Sequence, residues 1–469
     1  MENFWDSSIW GFINVMAVLL LSLLVANILR RSIKWLKDSL IPVSVIGGTF
    51  VVVIAAVYKW ITGDIMFDTD FFAGKGTAYL ELVTYHCLAL GFIASSLKTA
   101  GGTMNKKRTT EVFNTGVTTV ATYLLQAVVG FCITLLAAVV IPGFFKTAGV
   151  LLPFGYGQGT GQAMNYGNIY ELDFGFVGGK SFGLTIAALG FISAALGGVF
   201  HLALLKRKGK VKLNRADDEK FTSEDVQGKG EIPMQESVDK LTIQMALIGV
   251  SYLVAFLMMF GLGLLLPGMR SVIYGFNFLL GVIAATLIKN VFNLLRKWGA
   301  IKQEYTNNFL LTRTSNFFFD LMVVAGIAAI RFGDIDKYWG IILILGVVGL
   351  LITYFYNHFI AKVLFPEYVE EQFLMMYGML TGTASTGIIL LREIDGDFKT
   401  PAADNMVYQN FPAIVFGFPL MLLATLAPQK PYLTLGILVG FFLVMNIILF
   451  RSKIFKRKSS KETVTADKK

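Results

Sequence analysis

Two short stretches combine residues that can bind an ion and an organic anion side by side. The first is Gly155-Tyr156-Gly157-Gln158-Gly159-Thr160-Gly161-Gln162-Ala163-Met164-Asn165, and the second is Leu380-Thr381-Gly382-Thr383-Ala384-Ser385-Thr386-Gly387. Glycine at this density leaves backbone N–H and C=O groups open to a close neighbour. Free N–H groups at a hairpin tip or the start of a half-helix suit a carboxylate. Unwound carbonyls and hydroxyls suit Na⁺, a hard cation that prefers oxygen. The predicted substrate contacts are Gly157, Gln158, Gly159, Thr160, Gly161, Gln162 and Asn165 in the first stretch, and Thr381, Gly382, Thr383, Ser385 and Thr386 in the second. Thr160 and Thr383 are also candidate ion ligands. The competing reading is that small residues let helices pack closely in a membrane. Close packing alone does not call for the amides of Gln158, Gln162 and Asn165.

Asp320, in Asn316-Phe317-Phe318-Phe319-Asp320, is the clearest ionisable residue inside an apolar run. A charge at such depth is costly and is usually functional. It is a candidate Na⁺ ligand or proton site, with Asn316 one helical turn away on the same face. The alternative is a salt bridge to Arg313 or a structural hydrogen bond. Arg392 sits beside Glu393 and Asp395, and Glu171 and Asp173 follow the first stretch; all five read as solvated loop charges. His86, His201 and His358 share no metal-ligand spacing and read as packing histidines. Cys87 and Cys132 lie in apolar runs, which disfavours a disulfide framework or a thiolate metal site. The sequence thus calls for Na⁺ alone, with no transition metal and no other cofactor.

The frame that must hold these residues is a membrane domain. Of 469 residues, 55% are apolar, and mean hydropathy is +0.63. Eleven runs are long enough to span, since about twenty residues cross the hydrocarbon core. They are Ile9–Leu29, Leu40–Trp60, Tyr79–Leu97, Val112–Ile141 and Phe176–Leu205, then Leu241–Leu266, Val272–Phe292, Thr314–Ile330, Tyr338–Ala361, Asn405–Ala427 and Tyr432–Phe450. The two small-residue stretches, near 150–172 and 372–394, are too interrupted by glycine for plain spans and read as re-entrant hairpins. Each lies between the fourth and fifth spans of its half.

Basic residues follow the odd-numbered spans: Arg30, Arg31, Lys34 and Lys37; Lys98, Lys106, Lys107 and Arg108; Lys206, Arg207, Lys208 and Lys210; Lys289, Arg296, Lys297 and Lys302; Lys453, Lys456, Arg457 and Lys458. Positive charge marks the cytoplasmic side, so the N-terminus is placed outside and the C-terminus inside. The N-terminus Met-Glu-Asn-Phe-Trp-Asp lacks the basic start of a signal peptide. Five spans per half, an odd number, would insert the second half upside down. The hairpins would then enter from opposite sides and meet near the midplane, where transporters with inverted repeats place their sites. The expected fold is all-α integral membrane, with about eleven transmembrane helices. Residues 1–205 form the first inverted repeat, 206–240 a flexible cytoplasmic linker, 241–428 the second repeat, and 429–469 an extra helix with a basic tail against anionic lipid.

This arrangement resembles the sodium/glutamate symporter family of bacteria. The residues that carry the resemblance are Pro42-Val43-Ser44-Val45-Ile46-Gly47-Gly48, Gly91-Phe92-Ile93-Ala94-Ser95-Ser96-Leu97 with Gly101-Gly102, and Gly157-Gln158-Gly159-Thr160-Gly161. The resemblance implies Na⁺-coupled symport of glutamate by alternating access, in the bacterial cytoplasmic membrane and as a homodimer. The runner-up is a Na⁺- or H⁺-coupled carrier of another small organic anion. Other classes fit less well. The net charge of +10 comes with no nucleic-acid-binding pattern. No Walker motif supports an ATP-driven pump. Converging catalytic groups for a membrane enzyme are not apparent, and a channel usually builds its pore from several subunits.

Overall fold

The apolar runs become long helices whose starts are fixed by polar caps. In a computed structural model, residues 3–99, 105–209, 231–232, 234, 238–396 and 399–454 are described. The first half comprises α1 (Ser7–Ser32), α2 (Val43–Thr62), α3 (Gly76–Leu97), α4 (Lys106–Val140), α5 (Leu151–Gln158), α6 (Thr160–Phe174) and α7 (Gly179–Arg207). The second comprises α8 (Lys240–Leu265), α9 (Asn277–Lys297), α10 (Asn308–Ala328), α11 (Trp339–Leu364), α12 (Val369–Thr381), α13 (Ala384–Arg392), α14 (Ala402–Tyr408) and α15 (Asn410–Leu426), and α16 (Pro431–Leu449) follows. Side chains of Asp6, Asn105, Asp239 and Asn307 accept from first-turn N–H groups of α1, α4, α8 and α10, satisfying donors that a helix cannot bond internally.

Ten of these helices are long and apolar enough to cross a membrane, and the α14–α15 pair, bent by 54°, brings the number to eleven. The all-helical membrane architecture therefore stands, with no strand among the described residues. Three spans differ in detail from the sequence reading. The seventh is divided, with a short separate helix at Arg270–Gly275 before α9. The eighth starts earlier, at Asn308, because Asn307 caps it. The tenth is broken because Pro412 has no N–H for the carbonyl one turn back at Tyr408, where α14 ends.

The helices divide into two packing neighbourhoods. α1, α2, α3, α8, α9 and α10 contact one another, with α3 against α10 the most extensive pairing. α4, α5, α7, α11, α12 and α13 form the other, and α15 and α16 lie along α4. α6 joins the two, packing on α7, α3 and α10. Small residues set the closest approaches, as expected where lipid supplies no hydrophobic drive between helices. Gly183 faces the Ala163 carbonyl, and Gly167 faces that of Gly179, so α6 and α7 run backbone to backbone. A Cβ at Gly48 would lie 2.8 Å from Ile327, and one at Gly91 would lie 2.7 Å from the Phe319 ring. These glycines of the second and third spans thus seat α2 and α3 on α10.

The described ends of the 206–240 segment are tied to the helices. α7 runs on to Arg207, and at the far end the Lys240 ammonium lies 2.6 Å from Glu231, with Lys240 only 1% exposed. Asn307 Nδ2 donates to the same carboxylate at 2.7 Å, and Ile232 N donates to Glu304 O at 3.1 Å. Residues 210–230, 233 and 235–237 lie outside the described residues, as do Gly101, Gly102, Lys456, Arg457, Lys458 and Lys461. Breaking a buried pair by removing one partner costs about 3–5 kcal/mol. Lys240→Met is therefore expected to lower the thermal unfolding midpoint in detergent. Adding Glu231→Gln should recover most of the loss; a single variant as stable as the parent would remove Lys240 from this role.

Candidate substrate and ion site

Each small-residue stretch forms two helices end to end. In the first, α5 ends and α6 begins at Gly159, whose φ of 81° and ψ of −172° belong to a region that only glycine occupies readily. In the second, α12 ends at Thr381 and α13 begins at Ala384, with Gly382 in an irregular conformation and Thr383 extended between them. The Thr383 side chain caps α13 by accepting from Thr386 N at 3.4 Å. The two breaks meet: a Cβ at Gly159 would lie 3.9 Å from Thr383 Cγ2 and 3.7 Å from Met322 Cε of α10.

The starts of α6 and α13 therefore converge, and so do the ends of α5 and α12. A helix start carries roughly half a positive charge and open N–H donors, and a helix end carries the reverse. Side chains of α4 reach both breaks. The Tyr123 hydroxyl donates to Gly157 O at 2.9 Å, and Gln126 Nε2 donates to Leu380 O at 3.0 Å and to Thr353 Oγ1 at 2.8 Å.

A cavity of about 170 Å³ opens where the tips meet. The first break lines it with Gly157, Gln158 and Gln162, and the second with Gly382, Thr383, Ala384 and Ser385. α3 contributes Phe92 and Ser95, α4 contributes Thr119 and Tyr123, α10 contributes Phe319 and Met322, and the region around the α14–α15 break contributes Gln409 and Asn410. Among the described residues, none that lines it carries an ionised side chain. Three buried amide atoms that belong to lining residues have no hydrogen-bond partner: Gln158 Oε1, Gln162 Nε2 and Gln409 Oε1. Burying a polar atom unpaired costs free energy, so three in one cavity mark a place for a polar guest.

The remaining expected contacts separate into two groups. Gly159 sits at the tip, touching Met322 and Thr383. Gly157 is closed off by the Tyr123 ring, and a Cβ at Gly161 would lie 2.9 Å from both Leu88 and Met322, so these two also serve packing. Thr160 is fully buried and donates to Met322 O at 3.2 Å; Thr381 is fully buried and donates to Tyr377 O at 2.6 Å. Thr386 is buried with its hydroxyl 3.3 Å from that of Thr383. Asn165 donates to Gln162 Oε1 at 3.3 Å but lines a separate cavity of about 470 Å³, which also holds the Lys180–Glu81 ion pair of 2.9 Å.

Asp320 and Asn316 are not brought to the cavity. Phe319 and Met322 are the residues of α10 that line it, whereas the Asp320 carboxylate lies beside Ser44 of α2 and Asn316 is exposed. Asp395, read as a solvated loop charge, is instead buried and accepts from Lys399 N and Thr400 N, both at 2.8 Å. Sequence reasoning missed α4. Thr115, Thr118, Thr119, Thr122 and Gln126 are all buried, and their three- and four-residue spacing inside a spanning run was the available signal.

Residues 10–369 match the model of the sodium/glutamate symporter family, a family of transporters rather than enzymes. The match ends where α12 begins, so the second broken helix pair lies almost entirely beyond it. No curated protein matches the chain. The match covers α3, α4, the first break and α10, which together build much of the cavity. This chain belongs to the sodium/glutamate symporter family.

Proposed function

We propose that this chain is a secondary transporter that carries glutamate together with Na⁺ across the bacterial cytoplasmic membrane by alternating access. The observation that carries this reading is the meeting of two broken helices at one cavity without ionised lining residues. In that setting the N–H groups starting α6 and α13 hold the carboxylate, and the amides of Gln158, Gln162 and Gln409 hold its polar remainder. The carbonyls ending α5 and α12, with the Thr383 hydroxyl, suit Na⁺. Thr160, Gly161, Thr381, Ser385 and Thr386 support the two tips. The inverted-repeat reading draws support from the packing: the first three spans of each half gather on one side, and each broken helix pair with the fourth span of its half gathers on the other, with α6 also reaching across to α3 and α10. In this reading the N-terminus is outside and the C-terminus cytoplasmic, lipid surrounds the bundle, and two copies form the working unit.

A second reading rests on the missing guanidinium. A dicarboxylate usually meets an arginine for its second carboxylate, and none lines this cavity. A smaller organic anion, coupled to Na⁺ or H⁺, is therefore the alternative.

Glutamate uptake into proteoliposomes separates these readings. An inward Na⁺ gradient should drive accumulation, and a proton gradient alone should not. Accumulation of a monocarboxylate but not glutamate would favour the second reading; no uptake of either would reject both. Asp320, away from the cavity, is assigned a distinct ion-linked role with Ser44. Asp320→Asn should weaken the Na⁺ dependence of uptake while leaving the amount of folded protein unchanged. An unaltered Na⁺ titration would limit Asp320 to packing.

A further inference from the structure

The three histidines looked scattered in sequence, yet two of them converge with a carboxylate at a separate cavity. His201 near the end of α7, His358 near the end of α11 and Glu370 at the start of α12 each offer one ligand atom within 4.8 Å of the other two. His201 is 4% exposed. Its Nδ1 lies 2.8 Å from the Tyr354 hydroxyl, and its Nε2 lies 3.0 Å from Glu370 Oε2. The rings of His201 and His358 are 5.2 Å apart and inclined at 70°. His358 Nδ1 is buried and has no hydrogen-bond partner among the described residues. A cavity of about 110 Å³ adjoins all three side chains, with Lys208 and Lys362 also on its wall.

We propose that His201, His358 and Glu370 form a binding site for a borderline divalent cation of the Zn²⁺ type. Two imidazoles and one carboxylate are a donor set that holds Zn²⁺ and leaves a fourth position open, here toward the small cavity. Tetrahedral bonds of about 2.0–2.2 Å set the donors about 3.3–3.6 Å apart; His201 and Glu370 are already that close at 3.0 Å, and His358, whose donor lies within 4.8 Å of both, has to draw in. The Tyr354 hydroxyl can accept from His201 Nδ1–H, leaving Nε2 with a lone pair for the metal. Binding then displaces the proton shared between Nε2 and Glu370 and supplies His358 with the partner it lacks. The bound ion would fasten the first helix of the second break to α7 and α11. The site lies outside the region proposed for glutamate and Na⁺, and its occupancy is read without transport.

The test uses the full chain, without a polyhistidine tag, purified in detergent and stripped with a chelator. It is then equilibrated with Zn²⁺ or Co²⁺. Expected results are about one Zn²⁺ retained per chain, a higher unfolding midpoint with rising Zn²⁺, and the strong visible absorption of tetrahedral Co²⁺. His358→Ala and Glu370→Gln should each weaken binding by at least about tenfold. Lys362→Gln, which removes a neighbouring positive charge from the cavity wall, should tighten it. His201 packs on Phe373 at 4.4 Å between ring centres, so His201→Ala is a weaker test than His358→Ala. No retained metal in the parent, or equal retention in parent and His358→Ala, would overturn the proposal and leave a His201–Glu370 contact that only joins helices.

Discussion

Gly159→Val is expected to abolish uptake while leaving a folded protein in the membrane. The loss has two sources. Gly159 adopts φ 81° and ψ −172°, which a β-branched residue reaches only at about 1–3 kcal/mol of strain. The valine methyls would also enter the gap between Met322 Cε and Thr383 Cγ2, where a Cβ alone already makes contact at 3.7 and 3.9 Å. The two broken helices would then be pushed apart at the point where their ends act together. Gly159→Ala keeps the strain with little added bulk, so it should fall between parent and valine in transport rate. Uptake by the valine variant with an unchanged KM would place the substrate away from the tips.

Gln162→Met should separate function from stability in the other direction. Gln162 Nε2 is buried without a partner, while its Oε1 accepts from Asn165 Nδ2 at 3.3 Å, an amide that also reaches Gly275 O at 3.4 Å, so an apolar chain of similar length removes an unsatisfied donor at the cost of one long hydrogen bond. The unfolding midpoint should change little, the lost Asn165 bond offsetting the removed orphan donor. The KM for the transported anion should increase about tenfold or more, since a hydrogen bond to a charged group is worth about 1.5–3 kcal/mol. Gln126→Met provides the contrast. Its Nε2 donates to both Thr353 and Leu380 O, although its Oε1 is unpartnered, so removing the amide takes two bonds and the support of the end of α12 and should lower the midpoint. A KM unchanged in Gln162→Met would mean that the orphaned amide does not meet substrate.

Much of the fold could be read because membrane helices announce themselves by length and apolar content. The breaks were legible too, since glycine and threonine interrupt those runs at Gly159 and at Gly382-Thr383. Which glycine does what was not legible. Gly159 alone of the three takes a positive φ at the break, whereas Gly157 is packed by Tyr123 of α4 and Gly161 by Leu88 of α3 and Met322 of α10. The direction of Asp320 depends on how α10 is rotated between α2 and the cavity. Its neighbours Phe319 and Met322, apolar and unremarked in the sequence, are the ones that face the cavity. His201, His358 and Glu370 sit on three helices, so no spacing rule could have joined them.

The lack of ionised groups around the cavity has an electrical consequence. Moving one elementary charge across the membrane potential is worth about 2.3 kcal/mol per 100 mV. A carrier whose binding site is itself neutral moves only the charge of its cargo on the loaded stroke. One glutamate with one Na⁺ would then cross without net current, and each further Na⁺ would add one charge. Current measured per glutamate would thus count sodium ions directly. The return stroke of the empty site should be almost indifferent to voltage, and any sensitivity left in it would point to Asp320, the acid that α10 carries outside the cavity.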